Sequence, residues 1–361
     1  MATSIFEFSQ LPRATAVTRS AGGLTGTRRQ RKVARIGLIY NPRSHRNLGA
    51  EIDLTDCSRL QIAKPGARSQ LAGALSEFAE EGIELLVIDG GDGTVRDVLT
   101  SGYSIFGSRW PVIAVLPKGK TNALAIDLGV PKDWALKDAI HAFENGHRAT
   151  RHPMTITAIE DVLAGTSPAQ INGFILGAGA FTKAVRAGQS AHRLGAFNSV
   201  AVAATALWAL TQSVLGSRAN VWRRGAKMDL VLGPAGSRMA HSGHGDAQMR
   251  QILFASTLKR LPANIRPFGP LVNGLRVLVV DQISRGTTLM LPLQALGWVN
   301  MHLRDRGIHQ LATPEFTLTI NDQFIVDGEA FPAGSYRIAQ GPGIQFVKPA
   351  SSREGGLTES S

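Results

Sequence analysis

From Arg35 onward, short apolar runs alternate with segments of helical period. Residues 36–40 (IGLIY) form an unbroken apolar run stopped by Asn41-Pro42, the pattern of a strand buried on both faces. Leu71, Leu75 and Phe78 recur at helical spacing, and Gly82 supplies a stop. Residues 85–88 form a second buried run that passes directly into Asp89-Gly90-Gly91-Asp92-Gly93-Thr94, with a helix expected from about Val95. A third strand is expected over 112–116, ended by Pro117. Residues 118–122 read as a loop, 121–128 as a short helix stopped at Gly129, and 134–145 as a helix closed by Gly146. Strands alternating with helices of this length predict a parallel α/β sheet.

After about residue 150 the texture changes. Short apolar or alternating runs take over at 154–159, 173–176, 229–232, 252–256 and 275–281, and again at 316–320, 323–326, 335–339 and 344–347. Helical stretches interrupt them near 196–215 and 289–304. Many short strands with Gly/Pro turns predict a mostly antiparallel sandwich or barrel-like sheet. The expected organisation is a basic tail over 1–33, an α/β domain over 34–149, a β-rich domain over 150–348 and a second tail over 349–361.

Composition narrows the class. The 361 residues are 43% hydrophobic and 18% charged, enough apolar material for two cores and inconsistent with wholesale disorder. A single cysteine, Cys57, excludes a disulfide framework and a cysteine-rich zinc site. The net charge of +12 points to phosphorylated small molecules or anionic lipid. Aromatic residues make up only 6% with no recognition module among them, so nucleic acid is not an expected partner. The first 35 residues carry seven Lys/Arg against Glu7 without a signal-peptide apolar core. The 196–215 stretch, interrupted by Asn198, Thr205 and Gln212, reads as a core helix rather than a span. A cytoplasmic protein meeting membrane only peripherally is expected, and homodimerisation is carried as an expectation.

The Gly90–Thr94 turn holds the sharpest chemistry. Glycines between a buried strand and a helix let backbone approach a ligand, and the amides at the helix start favour phosphate. Asp92 would project at the carboxyl end of the strand, where ligands bind in open α/β sheets and a carboxylate can hold Mg²⁺. Late in the chain a buried run, 324–326, ends in Asp327-Gly328-Glu329, so two carboxylates emerge at one turn. Asp-Gly is also the commonest hairpin signal; alongside a phosphate loop, Asp327 becomes a candidate general base.

Four elements together, Asn41-Pro42-Arg43-Ser44, Gly90–Thr94, the 117–122 loop and Asp327-Gly328-Glu329, resemble the diacylglycerol kinase catalytic superfamily in order and spacing. NAD kinases and 6-phosphofructokinases are more distant relatives sharing the glycine-aspartate signature. The resemblance implies an ATP-dependent lipid kinase that uses Mg²⁺ at Asp92 and phosphorylates a diacylglycerol-like lipid. It assigns ATP binding to Asn41, Ser44, Gly90, Gly91, Asp92, Gly93, Thr94, Gly119, Asn122 and Glu329, and catalysis to Asp327 and Asp92. The alternatives are another acceptor (a lipid alcohol, a sphingoid base or NAD) and a non-catalytic nucleotide- or lipid-binding relative.

The chain departs from the family pattern at His45, Arg96, Asp97 and Ala123, and adds Lys118 and Lys120. Other readings are weaker. His241, His244 and Asp246 are expected on a solvated hairpin tip rather than at zinc. Arg218, Arg223, Arg224 and Lys227 read as a solvated face, with Trp208 and Trp222 flanking it. Leu291, Leu293, Leu296, Trp298, Val299 and Leu303 are expected to form a core stripe.

Overall fold

The computed structural model describes residues 34–48, 60–163, 169–185, 217, 220–298 and 302–350. The basic tail, Cys57, the 196–215 stretch with Trp208, Arg218, Val299 and residues 351–361 lie outside the described residues. The described chain forms two units, one of 34–151 with 342–350 and one of 152–341. In the first, the order is β1 (Ile36–Tyr40), β2 (Leu60–Ala63), α1 (Arg68–Glu81), β3 (Leu85–Gly90), α2 (Asp92–Phe106), β4 (Val112–Pro117), α3 (Ala123–Leu128), α4 (Leu136–Glu144) and β5 (Arg148–Arg151). The second carries β6 (Met154–Ala158), β7 (Gln170–Gly173), β8 (Ile175–Gly179), β9 (Ala226–Leu232), β10 (Ser237–Arg238) and β11 (Met249–Ser256). It continues with β12 (Leu275–Asp281), β13 (Ile308–Thr313), β14 (Glu315–Ile320), β15 (Phe324–Val326), β16 (Glu329–Phe331) and β17 (Gly334–Gln340). The chain then returns to the first unit as β18 (Ile344–Val347).

The first sheet has the order β2-β1-β3-β4-β18-β5. Strands β2, β1, β3, β4 and β18 run parallel, and β5 is antiparallel to β18. Strands β1 and β3 are buried along their whole length, which explains their unbroken apolar runs. Leu71, Leu75 and Phe78 are the buried residues of α1, which ends at Gly82 in the left-handed conformation. Leu136, Ala139, Ala142 and Phe143 bring α4 onto Leu38, Leu85, Val87 and Leu116. The run at 344–347, expected with the β-rich domain, instead completes this sheet. Its Phe346 and Val347 are buried there, and Phe346 pairs with Ile113. Strands β2 and β5 had no counterpart in the sequence reading, because LQIA is half-buried and RATR is polar and alternates between half-buried and exposed.

The second unit is one antiparallel sheet of twelve strands among the described residues. Strand β9 pairs with β14 along its length and with β11 at two residues, joining the halves of the expected sandwich. Residues from both halves, including Ile156, Leu230, Phe316, Leu253, Val277 and Phe324, fill a common core. The expected single strand over 173–176 is two: β7 pairs with β6 and β8 with β11 and β15, with Phe174 at the break. The helix expected over 289–304 is also broken, into Arg285–Thr288 and Leu291–Ala295, with Pro292 in the first turn of the latter. Its stripe is not core: Leu293, Leu296 and Trp298 are exposed and Leu291 is half-buried, while Leu303 is buried. No helix among the described residues is long and apolar enough to cross a membrane.

One buried ionic network ties this unit together. Asp281 is fully buried at the end of β12 and accepts the Arg250 guanidinium, His309 Nε2 at 3.0 Å, and Ser242 N and Oγ at 2.9 and 2.7 Å. His241 Nε2 lies 3.7 Å from the same carboxylate, so His241 turns inward rather than sitting at a solvated tip; His244 and Asp246 are exposed. Burial alone would raise the Asp281 carboxyl, but the bonds from His309 and Ser242 and the charge of Arg250 outweigh it and hold it well below the usual carboxylate range. With a depressed folded-state pKa, the stabilisation is complete above the unfolded value of about 3.9 and is lost as pH falls below it. Asp281→Asn leaves Arg250 buried without its counter-charge and is expected to cost about 3–5 kcal/mol at pH 7. Urea unfolding across pH should show that gap narrowing below about pH 4; a gap independent of pH would mean the charge is not what stabilises.

Candidate active site

Three loops leave the carboxyl ends of β1, β3 and β4 and are bonded to one another. Asn41 begins the first. Its N–H donates to the Asp89 carbonyl at 3.1 Å, its side-chain amide donates to Thr94 Oγ1 at 2.8 Å, and its Oδ1 accepts the Arg43 N–H at 3.0 Å. Ser44 is buried and donates its N–H back to the Asn41 carbonyl at 3.1 Å. Arg46 N–H reaches the Lys118 carbonyl at 3.0 Å, and Lys118 N–H reaches the Gly90 carbonyl at 3.1 Å. Asn47, buried beneath them, donates to the Asn41 carbonyl at 3.0 Å and to the Asp89 carboxylate. Burial pushes the Asp89 carboxyl up, against the opposing pull of Asn47 and Lys118.

The closest approach is backbone to backbone. A Cβ on Gly91 would stand 2.8 Å from Gly119 Cα, and one on Gly119 would stand 2.6 Å from Gly91 Cα and 2.9 Å from Asn122 Oδ1. Only two glycines let these turns touch. Asn122 takes the left-handed conformation (φ 53°) and closes its loop with both side-chain atoms, accepting the Gly119 N–H and donating to the Gly119 carbonyl, each at 2.8 Å.

Helix α2 begins at Asp92, three residues earlier than its sequence pattern suggested, with Gly91 at the cap. Asp92, Gly93 and Thr94 therefore occupy the first turn, whose N–H groups have no acceptor within the helix. Asp92 turns its carboxylate towards the start of α3, with Leu124 N 3.5 Å from Oδ1 and the Ala123 and Asn122 amides also bonded to it. Burial raises its carboxyl above the ordinary range; those amides and Arg96 oppose the rise. Ala123, where the family pattern has an acid, is buried with its N–H on Asp92. Arg96 is buried one turn along α2 and holds Asp97 Oδ1 at 2.8 Å, while Arg68 holds Asp97 Oδ2 at 2.9 Å. Beside these groups lies a cavity of about 370 Å³ whose lining includes Ile39, Asn41, Arg43, Leu71, Thr94 and Asp97.

Asp327 and Glu329 belong to the second unit. Asp327 (φ 45°) and Gly328 (φ 86°) form the two-residue turn between β15 and β16, where Val326 pairs with Glu329. The Asp327 carboxylate accepts the Phe174 N–H at 3.0 Å and the Ile175 N–H at 2.9 Å, at the break between β7 and β8. A side chain at Gly173 would meet Asp327 Oδ2 at 2.6 Å, so this clasp also depends on a bare backbone. Phe324 packs on Phe331 and Tyr336 behind the turn, at ring separations of 5.6 and 4.9 Å. The turn is thus a hairpin tip, and its aspartate is held in one orientation.

The first unit brings Asn41, Ser44, Gly90, Gly91, Asp92, Gly93, Thr94, Gly119 and Asn122 together. Sequence reasoning missed Asn47, a polar residue in a polar loop. It also passed over Asp89, whose charge at the end of an apolar strand was the available signal. Among the described residues, no group of three His, Cys, Asp or Glu is placed to hold a metal by itself.

Two expectations follow. Gly119→Ala forces apart backbones that have no side chain to move, and should lower stability by about 1–3 kcal/mol in urea unfolding; an unchanged midpoint would mean the loops separate freely. For Asp92, a raised folded-state pKa means that stabilisation is present below the unfolded value of about 3.9 and is lost as pH rises through the folded value. Asp92→Asn should therefore unfold at equal or higher urea than the parent at pH 7, an advantage absent at pH 4.

Residues 35–156 match the model of the diacylglycerol kinase catalytic domain. "Probable lipid kinase YegS" of Shigella flexneri is 36% identical over 74 residues, 19% of this chain and 25% of that protein. "Probable lipid kinase YegS-like" of Citrobacter koseri is 35% identical over 68 residues, 18% of this chain and 23% of that protein. The matched stretch spans about a quarter of the length of these curated relatives. The crystal structure of a diacylglycerol kinase from Bacillus anthracis str. Sterne superposes with a TM-score of 0.56 over 89% of this chain and 99% of that one, at 16% identity. Residues 35–156 thus resemble the diacylglycerol kinase catalytic domain, within a chain whose fold is similar to that of a solved diacylglycerol kinase.

Proposed function

We propose that this protein is an ATP-dependent lipid kinase that transfers the γ-phosphate to the hydroxyl of a diacylglycerol-like lipid. The observation that carries the reading is the Gly91–Gly119 contact. It sets the first turn of α2, whose amides have no acceptor within the helix, and Arg96, paired with Asp97, beside a cavity lined by Asn41 and Thr94. Amides and a buried cation at a helix start favour a polyphosphate, and the adjoining cavity, part apolar through Ile39 and Leu71, suits a nucleoside. Asp92 is the residue that would hold Mg²⁺ in this reading, and the cation's charge would offset the burial penalty on its ionised carboxylate. Magnesium, when bound, neutralises phosphate charge.

In this reading Asp327 is the general base. The Phe174 and Ile175 amides fix its carboxylate, which accepts the proton of the acceptor hydroxyl as that oxygen attacks the γ-phosphorus and ADP leaves. The experiment uses γ-labelled ATP, Mg²⁺ and mixed micelles of diacylglycerol, with a total lipid extract alongside. Label should appear in phosphatidic acid, and Asp327→Asn should lower the rate by about 10²–10⁴-fold with ATP binding retained. Near-normal turnover in that variant would remove Asp327 from the chemistry. Label only in another lipid would replace the acceptor, and no label with intact ATP binding would leave a non-catalytic nucleotide-binding protein.

A further inference from the structure

Residues 289–298 place an apolar surface on the outside of the second unit. Leu289 is 57% exposed, Leu293 53%, Leu296 68% and Trp298 42%, although their spacing reads as a core stripe. The backbone that presents them is firmly held. Thr287, Thr288 and Gln294 are buried, and Gln294 Nε2 donates to the Pro267 carbonyl. Arg266 N–H donates to the Ala295 carbonyl, and Trp298 N–H to the Leu293 carbonyl at 3.1 Å. The polar side chains of this helical corner face inward and its leucines face out, the reverse of an ordinary surface helix.

The charge along this stretch of chain is one-sided. Between Asp246 and Asp305 the sole acidic residue is Asp281, which is fully buried against Arg250. The same stretch carries exposed Lys259, Arg260, Arg266, Arg285 and Arg304. Arg266 packs directly under the apolar turn, its Cβ 3.2 Å from where a Gly297 Cβ would stand, and Arg306 Nη1 reaches Met290 Sδ at 3.1 Å. The next acid, Asp305, lies 3.6 Å from His302.

We infer that this corner is a docking surface for an anionic lipid bilayer, with the leucines and Trp298 entering the headgroup boundary and the arginines reaching phosphate. Exposed leucines beside a tryptophan, with cations along this stretch that outnumber the one exposed carboxylate, Asp305, match the two attractions that hold interfacial segments on membranes. The inference deepens the lipid-kinase reading and rests on it for the acceptor's location, but binding to a bilayer needs neither ATP nor turnover.

The test is co-sedimentation of the full chain with vesicles of phosphatidylcholine, with and without phosphatidylglycerol. Binding should require phosphatidylglycerol and weaken with salt. Leu293→Ser with Leu296→Ser should reduce it on the order of tenfold, and Arg266→Gln about fivefold. Brominated acyl chains should quench tryptophan emission in the parent chain and less so in Trp298→Phe, a readout that tolerates any loss of stability in the serine variant. Equal binding by parent and double-serine variant, or no contribution of Trp298 to quenching, would overturn the inference. A parent dimer in sedimentation velocity that the serine variant dissociates, without vesicle binding, would assign the surface to a second copy instead. Vesicle binding with a silent kinase assay would refute the lipid-kinase reading and leave the docking surface standing.

Discussion

Two backbones in van der Waals contact set the terms for the first unit. Gly91 and Gly119 follow adjacent parallel strands, and neither turn has a side chain to hold the other away. From that approach come the closed Asn122 loop, the placement of Asp92 against the start of α3, and the stacking of the Asn41 turn on Thr94. Hydrogen bonds finish the arrangement but could not create it, since each needs loops already within about 3 Å. A surface made of backbone has this property: its shape is set by where side chains are missing.

The carboxylates divide by what surrounds them. Asp281 is stabilised as an anion because Arg250, His309 and Ser242 all converge on it, and it ties β12 to β11, β13 and the loop before β11. Asp89 and Asp92 sit in sites where burial dominates, and nearby donors only partly offset it. Asp327 is fixed by two amides at a place where the chain passes from one half of the sheet to the other. The break at Phe174 and the orientation of Asp327 are therefore a single feature. The amides that a continuous strand would commit to its ladder are partly turned to a side chain.

Much of this was legible in the residues. Strands buried on both faces show as unbroken apolar runs, so the parallel β1, β3 and β4 and the antiparallel β12 could be read directly, as could the glycine turn and the Asp327-Gly328 hairpin. What escaped had a physical reason. Strand β5 is polar and exists because β18 lies beside it, a pairing across nearly two hundred residues that no local pattern encodes. The start of α2 lies at Asp92, ahead of the first apolar residue of its pattern, because Gly93 in the first turn is tolerated there and gives no periodic signal. The stripe from Leu291 to Trp298 has helical spacing and apolar content, and periodicity alone does not say on which side of a helix solvent lies. Asn47, central to the loop network, carries no signal beyond being polar in a polar loop.

Strand β18 bears on how the chain is made. The six-stranded sheet draws five strands from the segment ending at Arg151 and one from residues 344–347, so during synthesis its β4 and β5 stay without their common neighbour until the whole β-rich unit has emerged. Strand pairing over such a separation is slow to form, and unpaired edges invite association with other chains in the interval. The first unit is thus completed last although it is translated first, and a fragment cut at residue 156, where the sequence match to the catalytic domain stops, would carry its loops on a sheet with a missing strand.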